Sequence, residues 1–247
     1  MLEDDVARQG WHIDARERAA RFQVLGERCS GTNFVKRLIG RNSALTATEE
    51  MGWKHGFPSM IAIPEDLAVV CVVRDARDWA LSVHARPWHC PPEMQRLAFR
   101  DFIRAEWTTV ADRARYFPQV AREGGLGRPL QPDRDPMTGA AFPDLFALRR
   151  TKLAALLSYK RRGCTLVLAR FEAVRDAPQE FLATLHDVLD LGLPPVYRPV
   201  VKRLGNRFKP AVEPRPSPPT RFPDTDLALL RARLDLRQEA ALGYSYD

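Results

Sequence analysis

The chain has 247 residues, long enough to bury a full core and most simply read as a single domain. Its formal net charge of +7 points to an anionic partner, and nucleotide, nucleic acid, acidic glycan or an anionic membrane surface all fit, as do Arg-rich surface helices with no partner. No apolar run approaches the roughly 18 residues of a membrane span, and the polar opening MLEDDVARQGW lacks the apolar stretch of a signal peptide.

Residues 1–20 read as a polar lead-in. RFQVLG (21–26) predicts a short buried strand, and TNFVKRLIGRN (32–42) a helix with Phe34, Val35 and Leu38 on one side. DLAVVCVV (66–73) is a nearly continuous apolar run, the pattern of a central parallel strand covered on both faces. DARDWALSVHA (75–85) starts a helix with acidic residues in its first turn. Residues 96–115 form a long amphipathic segment rich in Arg. The Gly/Pro-rich stretch 117–144 is too long for an ordinary connection and reads as a lid, a substrate loop or a disordered segment. Helix returns over 146–161, CTLVLARFE (164–172) predicts another strand, and APQEFLATLHDVLDL (177–191) the helix after it. Residues 192–223 are dense in Pro and basic residues, and 224–242 predict one charged helix ending at Gly243. Cys29, Cys71, Cys90 and Cys164 form no CxxC pair, and Cys71 and Cys164 sit in apolar runs. They read as reduced, packed thiols, and the expected location is cytoplasmic.

Alternating strand and helix with buried strands predicts an α/β fold with a central parallel sheet. Ligands of such folds bind at the carboxyl ends of the strands. Gly26, Arg74 and Phe171 all lie at or just past such ends.

GERCSGT (26–32) has the glycine spacing of a phosphate-binding loop, Gly26 to Gly31, but Thr32 and Asn33 follow where Gly-Lys-Ser/Thr would continue. Successive backbone N–H groups at a helix start still form an anion nest. Gly31 lets the backbone approach a phosphate, Ser30, Thr32 and Asn33 add donors, and Arg28 adds a fixed charge. The missing lysine argues against ATP or GTP and for a shorter phosphate chain. The plain alternative is a strand-to-helix turn whose Ser and Thr cap the helix.

The run GERCSGTNF resembles the 5′-phosphosulfate loop of the sulfotransferases that use 3′-phosphoadenosine 5′-phosphosulfate (PAPS). Their loop runs basic residue, Ser, Gly, Thr, a polar residue and an aromatic. Ser30, Gly31, Thr32, Asn33 and Phe34 match in order, while Cys29 takes the basic position and Arg28 stands one step earlier. The resemblance implies a three-layer, P-loop-NTPase-like fold in one domain, its core at about 21–90 and 164–247 and an acceptor-binding insert at 91–163. It implies that Arg28, Cys29, Ser30, Gly31, Thr32 and Asn33 hold the cofactor, with Phe34 against adenine.

Further segments extend the likeness. VVRDARDWALSVH (72–84) places Arg74 at a strand end and Ser82 on the next helix, the form of the family's 3′-phosphate site, and a guanidinium fork suits a terminal phosphate. The alternative pairs Arg74 with Asp75 or Asp78 and leaves Ser82 on a helix surface. MGWKHGFP (51–58) resembles the segment bearing the catalytic base: His55 would take the acceptor's proton and Lys54 would stabilise charge on the transferring group. The alternative is a turn with a solvated lysine and a histidine packed on Trp53. Glu49 and Glu50 are rival bases, since other branches of the family use a glutamate. In HARPWHC (84–90) a metal reading of His84, His89 and Cys90 lacks a fourth ligand, and Trp88 and His89 read instead as acceptor-pocket residues. Phe171 and Glu172 are candidate cofactor neighbours or strand caps, and Lys202, Arg203 and Gly205 candidate 3′-phosphate contacts.

The implied reaction moves a sulfuryl group from PAPS to an acceptor hydroxyl, on a carbohydrate or other small molecule, with no metal, no nucleic acid and no membrane span. The rivals are a P-loop kinase, which would need Mg²⁺ and the absent lysine, and a non-catalytic polyanion-binding protein.

Overall fold

The structure is a computed structural model that describes residues 2–193, 195–201 and 208–247, with side chains from residue 5 onward. In chain order the elements are α1 (Leu2–Gln9), β1 (Trp11–Asp14), β2 (Arg21–Leu25), α2 (Thr32–Asn42), β3 (Thr46–Ala47) and β4 (Leu67–Val73). There follow α3 (Ala76–Ala85), α4 (Pro92–Gln95), α5 (Phe99–Phe102), α6 (Pro118–Arg122) and α7 (Leu145–Leu157). The last are β5 (Leu166–Arg170), α8 (Phe171–Asp176), α9 (Pro178–Val188), α10 (Asp224–Arg233) and α11 (Leu236–Ala241). The chain divides into two compact units. The first comprises Met1–Asp75, Lys152–Asn206 and Asp235–Asp247, and the second Ala76–Thr151 and Arg207–Leu234.

The first unit is α/β. Its sheet has the order β1-β5-β4-β2-β3. Strands β2 to β5 run parallel, whereas β1 pairs antiparallel with β5, Trp11 opposite Ala169. The sheet is therefore mixed rather than wholly parallel, and part of the supposed lead-in is its edge. Trp11 is buried while His12, Ile13 and Asp14 are half-buried, so the apolar–polar alternation of WHID is too short to stand out over four residues.

All seven residues of β4 are buried, as its apolar run predicts. Phe22, Val24, Ala68, Val70, Val72, Val167 and Ala169 form one face of the sheet and pack with Val35, Leu38 and Ile39 of α2 and Phe181 and Leu185 of α9. Trp11 closes that layer edge-on to Phe181, centroids 5.6 Å apart. On the other face the Cys71 thiol reaches the carbonyl of Leu156 at 3.8 Å, which seats the last turns of α7 there.

This topology fixes where a ligand belongs. The connection from β2 leads to β3 on one side, and the connection from β4 leads to β5 on the other, although β2 and β4 are neighbours. Adjacent strands whose onward connections diverge leave a crevice at their carboxyl ends. The loop after Leu25 and the residues after Val73 both emerge there.

The second unit has helices but no strand longer than a single bridge among its described residues. The 96–115 segment forms only the one-turn α5, because its apolar side chains serve packing rather than a continuous helix: Phe99 and Phe102 meet the His84 ring, and Phe102 meets Trp107. The 117–144 stretch carries α6 and a 3-10 turn, and it is tied down where the Thr109 hydroxyl donates to the buried carboxylate of Asp133 at 2.8 Å. Asp144 caps α7 by accepting from the N–H groups of Phe146 and Ala147. The helix expected over 224–242 is two: Leu234 leaves helical geometry and Asp235 starts α11 by accepting from the N–H groups of Arg237 and Gln238. Among the described residues no helix is long and apolar enough to cross a membrane.

Candidate functional site

The site grows from the turn that ends β2. Gly26 donates its N–H to the carbonyl of Lys54 at 2.9 Å, and a Cβ there would lie 2.5 Å from the Val72 carbonyl oxygen, so only glycine lets the loop leave between β2 and β4. Gly31, at φ +91°, heads α2, where a Cβ would fall 2.1 Å from the Phe171 ring. Between them Cys29 also takes a left-handed backbone, φ +65°. The Ser30 hydroxyl and N–H both turn back to the Glu27 carbonyl, at 2.7 and 3.2 Å, so this fully buried serine shapes the loop. No side-chain hydrogen bond caps α2: Gly31 is its N-cap, which sets aside the plain reading of a Ser- or Thr-capped turn. Thr32 is buried, Asn33 is exposed, and half-buried Phe34 lies edge-on to Phe171 at 5.8 Å.

Segment 51–58 is held against this loop from several directions. The buried Gln23 of β2 donates to the Gly52 carbonyl and accepts from the Met51 N–H, anchoring the segment's start. The Lys54 carbonyl takes the Gly26 N–H, and its ammonium donates to Asn33 Oδ1 at 2.6 Å. Burial pushes the Lys54 ammonium below its usual pKa, with Glu49 acting against this and Lys36 reinforcing it.

His55 Nδ1 lies 2.7 Å from the Gly26 carbonyl oxygen. A carbonyl only accepts, so Nδ1 carries the proton and Nε2 keeps its lone pair. Burial, foremost, and then the charges of Lys54, Arg28 and Lys152 hold the imidazole well below its ordinary pKa, against the opposing pull of the Gly26 carbonyl. The ring is therefore a neutral Nδ1–H imidazole at neutral pH. It also packs edge-on to Trp53 at 5.2 Å, so the packing expected of a merely structural histidine coexists with the tie to the loop.

Cations gather around Trp53. The Arg28 guanidinium stands 5.7 Å from its ring centroid and the Lys152 ammonium 5.9 Å. Lys152, on α7, is only 5% exposed and donates to the His55 carbonyl at 2.6 Å. The sequence reading missed both Lys152 and Gln23. Lys152 is 97 residues from its partner, and a lysine inside LFALRRTKLAALL carries no local sign of what it meets.

Arg74 donates from Nη1 to the Cys29 carbonyl at 3.0 Å and lies 5.4 Å over the Phe171 ring. Just after it, the Asp75 N–H donates to Glu172 Oε1, and the Tyr244 hydroxyl donates to Oε2, so Glu172 ties the end of β4 to the start of α8. The first unit thus brings Arg28 to Phe34, Lys54, His55 and Arg74 to one end of its sheet. Ser82 stands on α3, in the second unit. Lys202, Arg203 and Gly205 lie outside the described residues.

The rival bases both sit in exposed ion pairs. Glu49 pairs with Lys36 at 2.7 Å, which lowers its pKa, and Glu50 pairs with Arg21. The histidines of the metal reading are likewise committed, His84 Nε2 to the Leu97 carbonyl and His89 Nδ1 to Asp112 at 2.7 Å. Comparison with family models, with curated proteins and with solved structures found no match for this chain.

Proposed function

We propose that the chain is a PAPS-dependent sulfotransferase with a P-loop-NTPase-like core, acting on an acceptor hydroxyl. One observation carries the reading: the first carbonyl of the glycine loop sets the tautomer of His55, amid Arg28, Lys54 and Lys152. A loop built for an anion and a neutral imidazole with a free nitrogen thus form one device. Buried positive charge beside an unprotonated histidine fits a ligand that brings negative charge and a reaction that needs a base.

The chemistry follows from these residues. His55 Nε2 accepts the proton of the acceptor hydroxyl as its oxygen bonds to sulfur. The bond from sulfur to the bridging oxygen breaks, and adenosine 3′,5′-bisphosphate leaves with that electron pair. The N–H groups at the start of α2, with Arg28 and Lys54, face the charge that builds on the transferring group and the leaving oxygen. His55 gains a proton while the site loses none of its cations, so that proton passes to solvent once the anionic product departs and the neutral ring is restored. Positioning and charge stabilisation supply most of such a rate, as in phosphoryl transfer.

Transfer of radiolabelled sulfate from PAPS to a panel of glycans, phenols, lipids and peptides tests the reading. Labelled product formed one-for-one with adenosine 3′,5′-bisphosphate supports it. Phosphate transfer from ATP–Mg²⁺ would point to a kinase, and salt-sensitive polyanion binding without turnover to a binding protein.

A further inference from the structure

Among the described residues Lys152 is the buried lysine that the reaction just described does not use. Its ammonium ends at the His55 carbonyl, 2.6 Å away, between the rings of Trp53 and Phe57, which lie 5.9 and 5.6 Å from it. Burying an ammonium is costly unless its donors and charge are satisfied. Here a backbone carbonyl and two aromatic faces contribute to that, with a geometric result. The His55 residue is held at two points, its ring by the Gly26 carbonyl and its own carbonyl by Lys152. One clamp comes from the loop after β2 and the other from α7.

We propose that Lys152 is a positioning residue: by gripping the His55 carbonyl it fixes the imidazole against Gly26 and so keeps the proton on Nδ1 and the Nε2 lone pair aimed for proton transfer. The proposal rests on His55 being the base, yet it concerns a contact that exists whether or not PAPS is the donor. The charged groups acting on His55 are Lys54, Arg28 and Lys152 itself. Lys152 adds charge as well as a hydrogen bond, and a charge-retaining substitution separates the two from simple packing.

Nitrogen-15 NMR of the imidazole reads the tautomer and the titration directly in the full chain. Wild type should show a single Nδ1–H form above its titration. Lys152→Met, which keeps the stem and drops the ammonium, should mix the two tautomers. Lys152→Arg, which can still donate to the carbonyl and stack on Trp53, should restore the wild-type spectrum. On a verified acceptor, Lys152→Met should lose turnover by up to about 10²-fold, as small misplacements of a reacting group do, with little change in bisphosphate affinity. A single Nδ1–H tautomer, as in wild type, in Lys152→Met would overturn the proposal. So would a loss confined to bisphosphate or inorganic sulfate binding, which would make Lys152 a ligand contact. Should Lys152→Met fail to fold, wild type alone decides: a slowly exchanging ammonium signal coupled to the His55 carbonyl supports the clamp, and rapid exchange contradicts it. If no sulfate transfer is ever found, the NMR outcome still stands or falls by itself.

Discussion

His55 is set by its immediate surroundings more than by its own chemistry. The Gly26 carbonyl decides which nitrogen holds the proton, and burial with three neighbouring cations decides that there is only one proton to hold. His55→Ala should therefore lower turnover by about 10²–10⁴-fold while leaving adenosine 3′,5′-bisphosphate affinity nearly intact, as steady-state kinetics and calorimetry would show. Glu49→Gln and Glu50→Gln should keep wild-type turnover and shift stability by less than about 1 kcal/mol, because both carboxylates sit in exposed ion pairs. The depressed pKa also has a stability signature. Between the folded value and the unfolded value of 6.5, the unfolded chain binds more protons, so stability rises with pH and levels off above that range. Denaturant melts should show wild type losing stability as pH falls below about 6.5, and His55→Gln losing less. His84 is also depressed, but it is common to both proteins and cancels in the comparison. Lys54 and His55 were legible as a short motif. Lys152, Gln23 and the Trp53 cation cluster were not, because each acquires its meaning from a partner brought close only by the sheet.

The loop and α2 are joined by a glycine that the sequence marks and the structure explains. Gly31 needs both a left-handed backbone and the space that the Phe171 ring leaves it. The backbone alone costs an alanine about 1–2 kcal/mol, and forcing a methyl group into a packed ring adds about 1–3 kcal/mol. Gly31→Ala should thus lower stability by about 2–5 kcal/mol, seen as a lower urea midpoint at unchanged slope. The cost should shrink in a Phe171→Leu background, where the ring that the new methyl meets is gone. Among the elements, β4 and α2 were legible because an unbroken apolar run and a 3.6-residue period each have one reading at that length. The edge strand β1 was hidden by its four-residue length, and its antiparallel pairing with β5 depends on residues some 150 positions away, Trp11 facing Ala169. The α10–α11 break was hidden for another reason: Asp235 reads as one more charged helical residue until its side chain is seen accepting from Arg237 and Gln238. The 96–115 segment reads as one long amphipathic, Arg-rich stretch, whereas tertiary packing around His84 and Trp107 claims its aromatic rings one by one.

At the scale of the molecule, the excess of 38 Lys and Arg over 31 Asp and Glu says only that an anion is welcome. The strand order opens a crevice at the divergence of β2 and β4, where the first unit gathers Arg28, Lys54 and Arg74. The α/β class was legible from strand and helix alternation, while the division into two units was not, since the second is assembled from stretches 76–151 and 207–234 with no shared pattern. In the proposed reaction Arg74, hydrogen-bonded to the Cys29 carbonyl, meets the 3′-phosphate that would distinguish PAPS from ordinary nucleotides. A charge-assisted hydrogen bond to that phosphate is worth about 1.5–3 kcal/mol, or at least about tenfold in affinity. The most direct measurement is calorimetry of adenosine 3′,5′-bisphosphate, AMP and ATP–Mg²⁺ with wild type and Arg74→Ala. Wild type should bind the bisphosphate at least about tenfold more tightly than AMP, ATP–Mg²⁺ should gain nothing over AMP, and Arg74→Ala should erase most of the preference. Equal affinity for the bisphosphate and AMP, or tightest binding of ATP–Mg²⁺, would contradict it.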